Sequence, residues 1–299
     1  MTPQKFVWMD GKLVKWENAR VHSLTHALHY GSGVFEGIRS YEAGKKTSIF
    51  RLDDHIKRFF FSAKALGMQI KFSENEVKNA VKKTVEANEL RNSYIRPLAY
   101  YGYSSIGVYP KNHAANLLIA ALPDYDKTPK ILRVMISNFA RPSEKSTIFG
   151  AKISGSYANS ILAMREARIN GFDEALMLDS EGFVSEGPAE NVFLVKNKEL
   201  ITPNSMSALH GITRDTIIRI SKDLGINTHE KKISVDDVKK ADELFFCGTG
   251  KEISPIISVD KKNIGDGITG KITSLIMTNY FDIVRGKIPN YNKWLSYVD

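Results

Sequence analysis

The sequence predicts an α+β chain of two domains, and three observations carry that prediction. At 299 residues the chain is longer than one hydrophobic core usually serves. Its strands come mainly as hairpins with helices set apart from them, not in a regular βαβ alternation. One stretch, PDYDKTPK at 123–130, gathers proline, aspartate and lysine between two apolar strands, which is the composition of a linker. A first domain over 1–123, a linker over 124–130 and a second domain over 131–299 are therefore expected.

The elements follow from local pattern. KFVWM and KLVKW flank Asp10-Gly11, a strong signal for a two-residue hairpin turn. Small residues and glycines then lead to a second hairpin, with strands over 35–41 and 47–50. Ile56, Phe59, Phe60, Ala63 and Leu66 recur at three- and four-residue steps, so 51–66 is a helix stopped by Gly67. Ser73 followed by Glu76 is a capping-box spacing that opens a second helix to about Leu90. Strands are expected over 94–101 and 117–122. Beyond the linker come a strand at 131–137, a helix from Tyr157 to Asn170, and strands and turns over 174–202. A helix from Thr213 to Gly225, strands at 243–247 and 256–259, and a closing helix near 270–285 complete the chain.

Composition excludes several functions. The 42% hydrophobic and 25% charged fractions are those of an ordinary globular protein. The sole cysteine, Cys247, lies in the apolar run LFFCG and reads as a buried strand residue in a reducing compartment. The opening MTPQKFVWMDGK has no basic segment followed by an apolar one, and no longer apolar run exists, so a cytoplasmic protein without a membrane span is expected. The net charge of +9 is spread along the chain among 33 acids, which argues against nucleic acid and allows an attraction for small anions.

Four stretches could carry chemistry. GAKISGSY at 150–157 sets Lys152 among small residues, five positions before Tyr157; a lysine by itself is commonly solvated surface. LHGITRDTIIRISKDLG at 209–225 places Thr213 to cap a helix whose N-terminus is either a phosphate site or a plain amphipathic start. FVSEGPAENVFLV at 183–195 holds Glu186 in a tight bend, where its carboxylate could face a ring nitrogen or simply be an acidic turn residue. Gly248-Thr249-Gly250 ends a buried strand and is either an anion-binding turn or an ordinary one. GSGVFEG at 31–37 fails as a dinucleotide motif on spacing and on its strand context. His22, His26 and His29 lack a further ligand at recognisable spacing and read as satisfied or surface histidines, with no metal site. No nucleophile elbow and no P-loop is present.

Taken in chain order, these pieces resemble the class IV (fold type IV) pyridoxal-phosphate enzymes, and among them the branched-chain-amino-acid aminotransferases. The resemblance runs through ARVHSLTHALHYGSGVFEGIR, DHIKRFFFSAK, YIRP, AKISGSY, FVSEGPAEN, LHGITRD and GTGKEISPI, nearly the whole chain. It implies a smaller N-terminal α/β domain, a larger C-terminal domain with a β-barrel-like core, and pyridoxal 5′-phosphate as cofactor. Lys152 would be the covalent anchor and the carrier of the proton between the substrate Cα and the cofactor's C4′. Glu186 would pair with the pyridine N1 proton, Tyr157 with O3′, and Leu209 would support the ring face. Arg58, Ile212, Thr213 and Thr249 would hold the phosphate, and Gly211 and Gly248 would also line the cofactor site. The substrate pocket would draw on Phe35, Gly37, Arg39, Tyr94 and Tyr125, with Tyr30 and Val108 reaching in from a partner subunit. Tyr94 and the backbone at Thr249 and Gly250 would bind the α-carboxylate, and Arg96 with Tyr30 the side-chain carboxylate of glutamate. Implied substrates are leucine, isoleucine and valine with 2-oxoglutarate, turned over by a homodimer or higher homo-oligomer. D-amino-acid aminotransferase and aminodeoxychorismate lyase are the alternatives within the fold, and a non-catalytic phosphate- or anion-binding protein is the alternative outside it. Many such enzymes have two alanines after the Gly-Thr pair, where this chain has Gly250-Lys251.

Overall fold

The computed structural model describes residues 4–103, 107–110, 115–124 and 131–298. Strands β1 (Phe6–Met9) and β2 (Lys12–Lys15) form the first hairpin. The turn uses Asp10 at φ 44° and Gly11 at φ 102°, the two positive φ values that a two-residue loop with the right twist demands. A short helix α1 (His26–Tyr30) precedes β3 (Gly33–Phe35) and β4 (Ile38–Ala43). The sequence predicts a single strand over 35–41; Glu36 and Gly37 interrupt it, where the Glu36 side chain turns inward to meet His55 and Arg58. β5 (Lys46–Phe50) then closes the second hairpin.

Helix α2 (Leu52–Ala65) buries Leu52, Ile56, Phe59 and Ala63, the stripe that its three- and four-residue spacing predicts. Helix α3 (Glu74–Ala87) opens with the capping box: Ser73 N–H donates to Glu76 Oε2 at 2.8 Å, and Glu76 N–H to Ser73 Oγ at 3.3 Å. The long strands β6 (Ser93–Tyr101) and β7 (Ala115–Pro123) follow.

Next come β8 (Leu132–Ile136), α4 (Tyr157–Ile169), β9 (Glu174–Leu178), β10 (Val184–Glu186), β11 (Asn191–Lys196) and β12 (Glu199–Pro203). Helix α5 (Ile212–Asp223) is capped by Gly211. Thr213, expected as the cap, is instead a buried residue of its first turn, because the cap lies two positions earlier, at Gly211. β13 (Thr228–Lys231), α6 (Val235–Lys239) and β14 (Glu243–Gly248) lead to β15 (Glu252–Val259). β15 begins four residues before the expected 256–259, since Pro255 weakens the strand pattern in sequence yet pairs with Phe245 in the sheet. β16 (Lys262–Asn263), α7 (Lys271–Val284) and β17 (Leu295–Val298) end the chain.

The chain divides into two compact units, the first comprising Met1–Lys127, Ala151–Gly155 and Asp282–Asp299, and the second Thr128–Gly150 and Ser156–Phe281. Two later segments thus belong with the first unit, a grouping that no single cut at 124–130 provides. Ala151–Gly155 joins it through a bridge between Ile153 and Val34, and the C-terminus joins it because β17 pairs antiparallel with β5. Apart from Asp124, the proposed linker lies outside the described residues.

The first unit is an antiparallel sheet ordered β17-β5-β4-β6-β7-β1-β2, with β3 also on β6, and a core that includes Ile38, Ile95, Phe59, Val81 and Ile119. The second is a mixed sheet ordered β10-β9-β8-β15-β14-β11-β12-β13. Its edge strand β10 also touches β11 and β12 from the far half of that order, so the sheet curls back on itself as a half-barrel around Val134, Val192, Leu244 and Phe246. Helix α4 covers one flank through Ala163 and Ala167. Cys247 lies fully buried in β14. Among the described residues no helix is long and apolar enough to cross a membrane, and no group of His, Cys, Asp or Glu could hold a metal ion. His26 is satisfied by Ser32 Oγ at 2.6 Å and the Gly107 carbonyl at 2.7 Å.

Candidate active site

In the first unit the segment carrying Lys152 is fastened by its backbone. Phe35 N–H donates to the Lys152 carbonyl at 3.2 Å, and Lys152 N–H donates to Ser62 Oγ at 2.9 Å. The Ser62 hydroxyl in turn donates to the Arg58 carbonyl at 2.8 Å, which ties the lysine to α2. The Lys152 ammonium stands 4.7 Å from the Phe35 ring centroid. Burial, reinforced by the Arg58 charge, lowers its pKa to about 8 from 10.5. This lysine therefore carries a far larger free-amine fraction near neutral pH than a solvated lysine does, which suits a nucleophilic or proton-carrying role.

Arg58 is held by Glu36, which is fully buried where the strand breaks. Arg58 Nε donates to Glu36 Oε1 at 2.6 Å and Nη2 to Oε2 at 2.9 Å. His55 Nδ1 donates to Glu36 Oε2 at 2.8 Å. Burial lowers the His55 pKa and outweighs the pull of Glu36, so His55 is a neutral donor and Arg58 is the counter-charge.

Tyr94 and Arg96 alternate on β6 and share a face. Arg96 Nη2 donates to Tyr94 Oη at 3.0 Å, while its guanidinium carbon lies 4.6 Å from the Phe35 ring centroid. Arg96 Nε is buried without a hydrogen-bond partner. Gly37 is required beside this group, because a Cβ there would fall 2.1 Å from Tyr94 Oη. Arg39, expected at the substrate, is buried and ion-paired with Asp124. Tyr30 and Val108 are exposed. Tyr125 lies outside the described residues.

In the second unit Glu186 ends β10 with its side chain buried. Arg141 Nη2 reaches its Oε1 at 2.8 Å; Leu209 N–H and Asn191 Nδ2 donate to its Oε2 at 3.0 and 3.2 Å. These donors all favour the ionised carboxylate. Asn191 Nδ2 also donates to the Leu209 carbonyl at 2.8 Å, bracing the approach to α5. A Cβ on Gly211 would fall 1.9 Å from Asn191 Oδ1, so any side chain there would displace Asn191. Ile212 and Thr213 occupy the first turn of α5, and Thr249 and Gly250 the turn between β14 and β15. Tyr157 opens α4. Glu36 and Arg141 are among the residues of these clusters that escaped the sequence. Glu36 lies inside the VFEGIR stretch, where an acid between strand residues was the available signal, and Arg141 carries no local pattern at all.

Residues 33–259 match the family model described as Amino-transferase class IV. The branched-chain-amino-acid aminotransferase of Pseudomonas aeruginosa is 41% identical over 297 residues, covering 98% of this chain and 97% of the relative. That of Escherichia coli is 38% identical with full coverage of both chains. The structure of the T.th. branched-chain amino acid aminotransferase complexed with N-(5′-phosphopyridoxyl)-L-glutamate superposes with a TM-score of 0.97 at 42% identity, over 99% of each chain.

Proposed function

The chain belongs to the class IV amino-transferase family, and on that premise we propose that it transfers the amino group of leucine, isoleucine or valine to 2-oxoglutarate in two alternating half-reactions. The observation that carries the proposal is the buried Lys152, whose amine titrates at about 8 beside Arg58, Arg96 and Tyr94.

The side chains fit pyridoxal 5′-phosphate. The first unit offers a lysine of depressed pKa and an orphaned arginine nitrogen, as an aldehyde and a carboxylate require, and the second offers a buried carboxylate paired with Arg141 and a helix N-terminus, as a pyridinium and a phosphate require. When bound, the cofactor supplies the electron sink that makes the substrate Cα–H acidic. Lys152 anchors it and its Nζ carries the Cα proton. Glu186, kept anionic by Arg141, holds the proton at the ring nitrogen. Arg58, Ile212, Thr213 and Thr249 hold the phosphate, Gly211 and Gly248 line the cofactor site, Tyr157 holds the phenolic oxygen, and Leu209 supports the ring face. Tyr94 in the first unit and the Thr249–Gly250 turn in the second are each assigned to the α-carboxylate.

One pocket has to accept both apolar and anionic side chains. Phe35 supplies an apolar wall, and Arg96, leaning on that ring with Nε unsatisfied, supplies the charge that glutamate needs. The exposed Tyr30 and Val108 are the residues we assign to a second copy's site in a cytoplasmic homo-oligomer.

The test is direct. The protein with cofactor should be yellow, borohydride should abolish the colour, and the reduced adduct should map to Lys152. A half-reaction panel should then show conversion with L-leucine and L-glutamate and none with D-alanine. Colourless protein that fails to take up added cofactor would overturn the proposal.

A further inference from the structure

A second charged cluster lies in the second unit beside the Glu186 bend. Lys251, in the turn joining β14 to β15, bonds through Nζ to Glu174 Oε2 on β9 and stands 3.6 Å from Glu190 Oε1. Both carboxylates are buried, and Lys251 is only partly exposed. Three segments distant in sequence, around 174, 190 and 251, therefore meet on one ammonium.

Glu190 in turn supports the bend that carries Glu186. Gly187 N–H donates to the Glu190 carbonyl at 2.7 Å, and Ala189 N–H donates to Glu190 Oε2 at 3.0 Å. A Cβ on Gly187 would fall 2.9 Å from that same oxygen, so the bend is packed directly onto the carboxylate. Gly248 faces it across the strands: a Cβ there would lie 3.3 Å from the Ala189 carbonyl and 3.6 Å from Glu190 Cα. The turn itself is strained, because Glu252 sits at φ 55° in the left-handed region, and a non-glycine residue there persists only when its surroundings fix it. Ser254 Oγ adds one restraint by donating to the Lys251 carbonyl at 3.2 Å.

We propose that Lys251 is a positioning residue for substrate carboxylates: clamped between Glu174 and Glu190, it locks the Gly248–Glu252 turn against the Glu186 bend and so sets how tightly amino and 2-oxo acids bind. This rests on the transaminase reading, in which the Thr249–Gly250 backbone receives the α-carboxylate. The electrostatics support a clamp. Burial opposes the Lys251 charge, yet Glu190 and Glu174 hold its ammonium above the usual lysine range. Burial and the Glu174 charge together push the Glu190 carboxyl up, so removing the ammonium leaves the pair with no counter-charge.

Lys251→Met removes the charge and keeps the length, and Glu174→Gln removes the anchor on β9. Each holoenzyme is titrated calorimetrically with an unreactive branched-chain carboxylic acid, and cofactor affinity is measured separately by absorbance. Both variants should bind the acid about tenfold more weakly, while cofactor affinity, which rests on the α5 N-terminus as well as on Gly248 and Thr249 of this turn, should fall by no more than about threefold. KM for leucine and for glutamate should rise together, and kcat should fall less. Unchanged acid affinity in either folded variant overturns the clamp, as does a cofactor affinity that falls in step with acid affinity. The wild-type holoenzyme is titrated first; if it takes up no cofactor, the transaminase reading fails before the variants are compared.

Discussion

Arg141 Nη2 lies 2.8 Å from Glu186 Oε1, and both side chains are largely buried in the second unit. Glu186 therefore cannot be neutralised without leaving a buried guanidinium short of its counter-charge. Glu186→Gln keeps the size of the side chain and an oxygen for the Leu209 N–H, but loses the charge proposed to hold a proton on the ring nitrogen. The expected outcome is a fall in kcat of about 10²-fold or more, with a folded protein whose stability drops by about 3–5 kcal/mol. Steady-state kinetics and denaturant unfolding read the two effects separately. Near-normal turnover would move the role to another carboxylate, Glu190 being the one in the same bend.

Glu36→Gln tests the cluster that holds Arg58. Burial by itself raises the Glu36 pKa, and the Arg58 and His55 contacts outweigh that, holding the carboxyl far below its ordinary 4.5. The sign follows from linkage: with the folded pKa below the unfolded one, the stabilisation is complete above about 4.5 and is lost as pH falls through the folded value. Wild type should exceed the variant by about 3–5 kcal/mol at neutral pH, with the gap narrowing in acid. Equal stabilities at neutral pH would show that the pair does not hold Arg58.

Gly37→Ala should act on Tyr94. The new methyl would fall 2.1 Å from Tyr94 Oη and 2.8 Å from Cζ, distances that only a displaced ring can relieve. Since Tyr94 also accepts from Arg96, both proposed carboxylate ligands move together. KM for leucine and glutamate should rise, and kcat/KM should fall about 10–100-fold, while the melting temperature changes little. Unaltered KM for both substrates would remove Tyr94 from the carboxylate role.

Much of this was legible because it is local. The Asp10-Gly11 turn, the Ser73–Glu76 box and the apolar stripe of α2 each follow from a few adjacent residues. Lys152, Arg58, Tyr94, Arg96 and Phe35 stand in motifs, and they meet in the first unit. What escaped is non-local. The ion pairs of Glu36 and Arg141 join residues 22 and 45 positions away, respectively, so no periodicity reports them. The return of Ala151–Gly155 and of β17 to the first unit is likewise fixed by strand pairing with distant partners, Val34 and β5.

Lys152 gives the sharpest pH dependence. Only the free amine attacks an aldehyde, and burial with the Arg58 charge lowers the pKa from 10.5 to about 8. In the cofactor-free protein, the rate at which Lys152 captures pyridoxal phosphate should therefore rise with pH up to about 8 and level off above it, whereas an ordinary lysine would keep accelerating to about 10.4. Arg58→Met removes the strongest positive neighbour, so the midpoint should move up. Stopped-flow absorbance across the pH range reads both curves. A wild-type midpoint near that of a solvated lysine would show that the amine is not activated by its surroundings, and Lys152→Ala, which should bind the cofactor through its phosphate and yet fail to transaminate, then decides whether the anchor lies elsewhere.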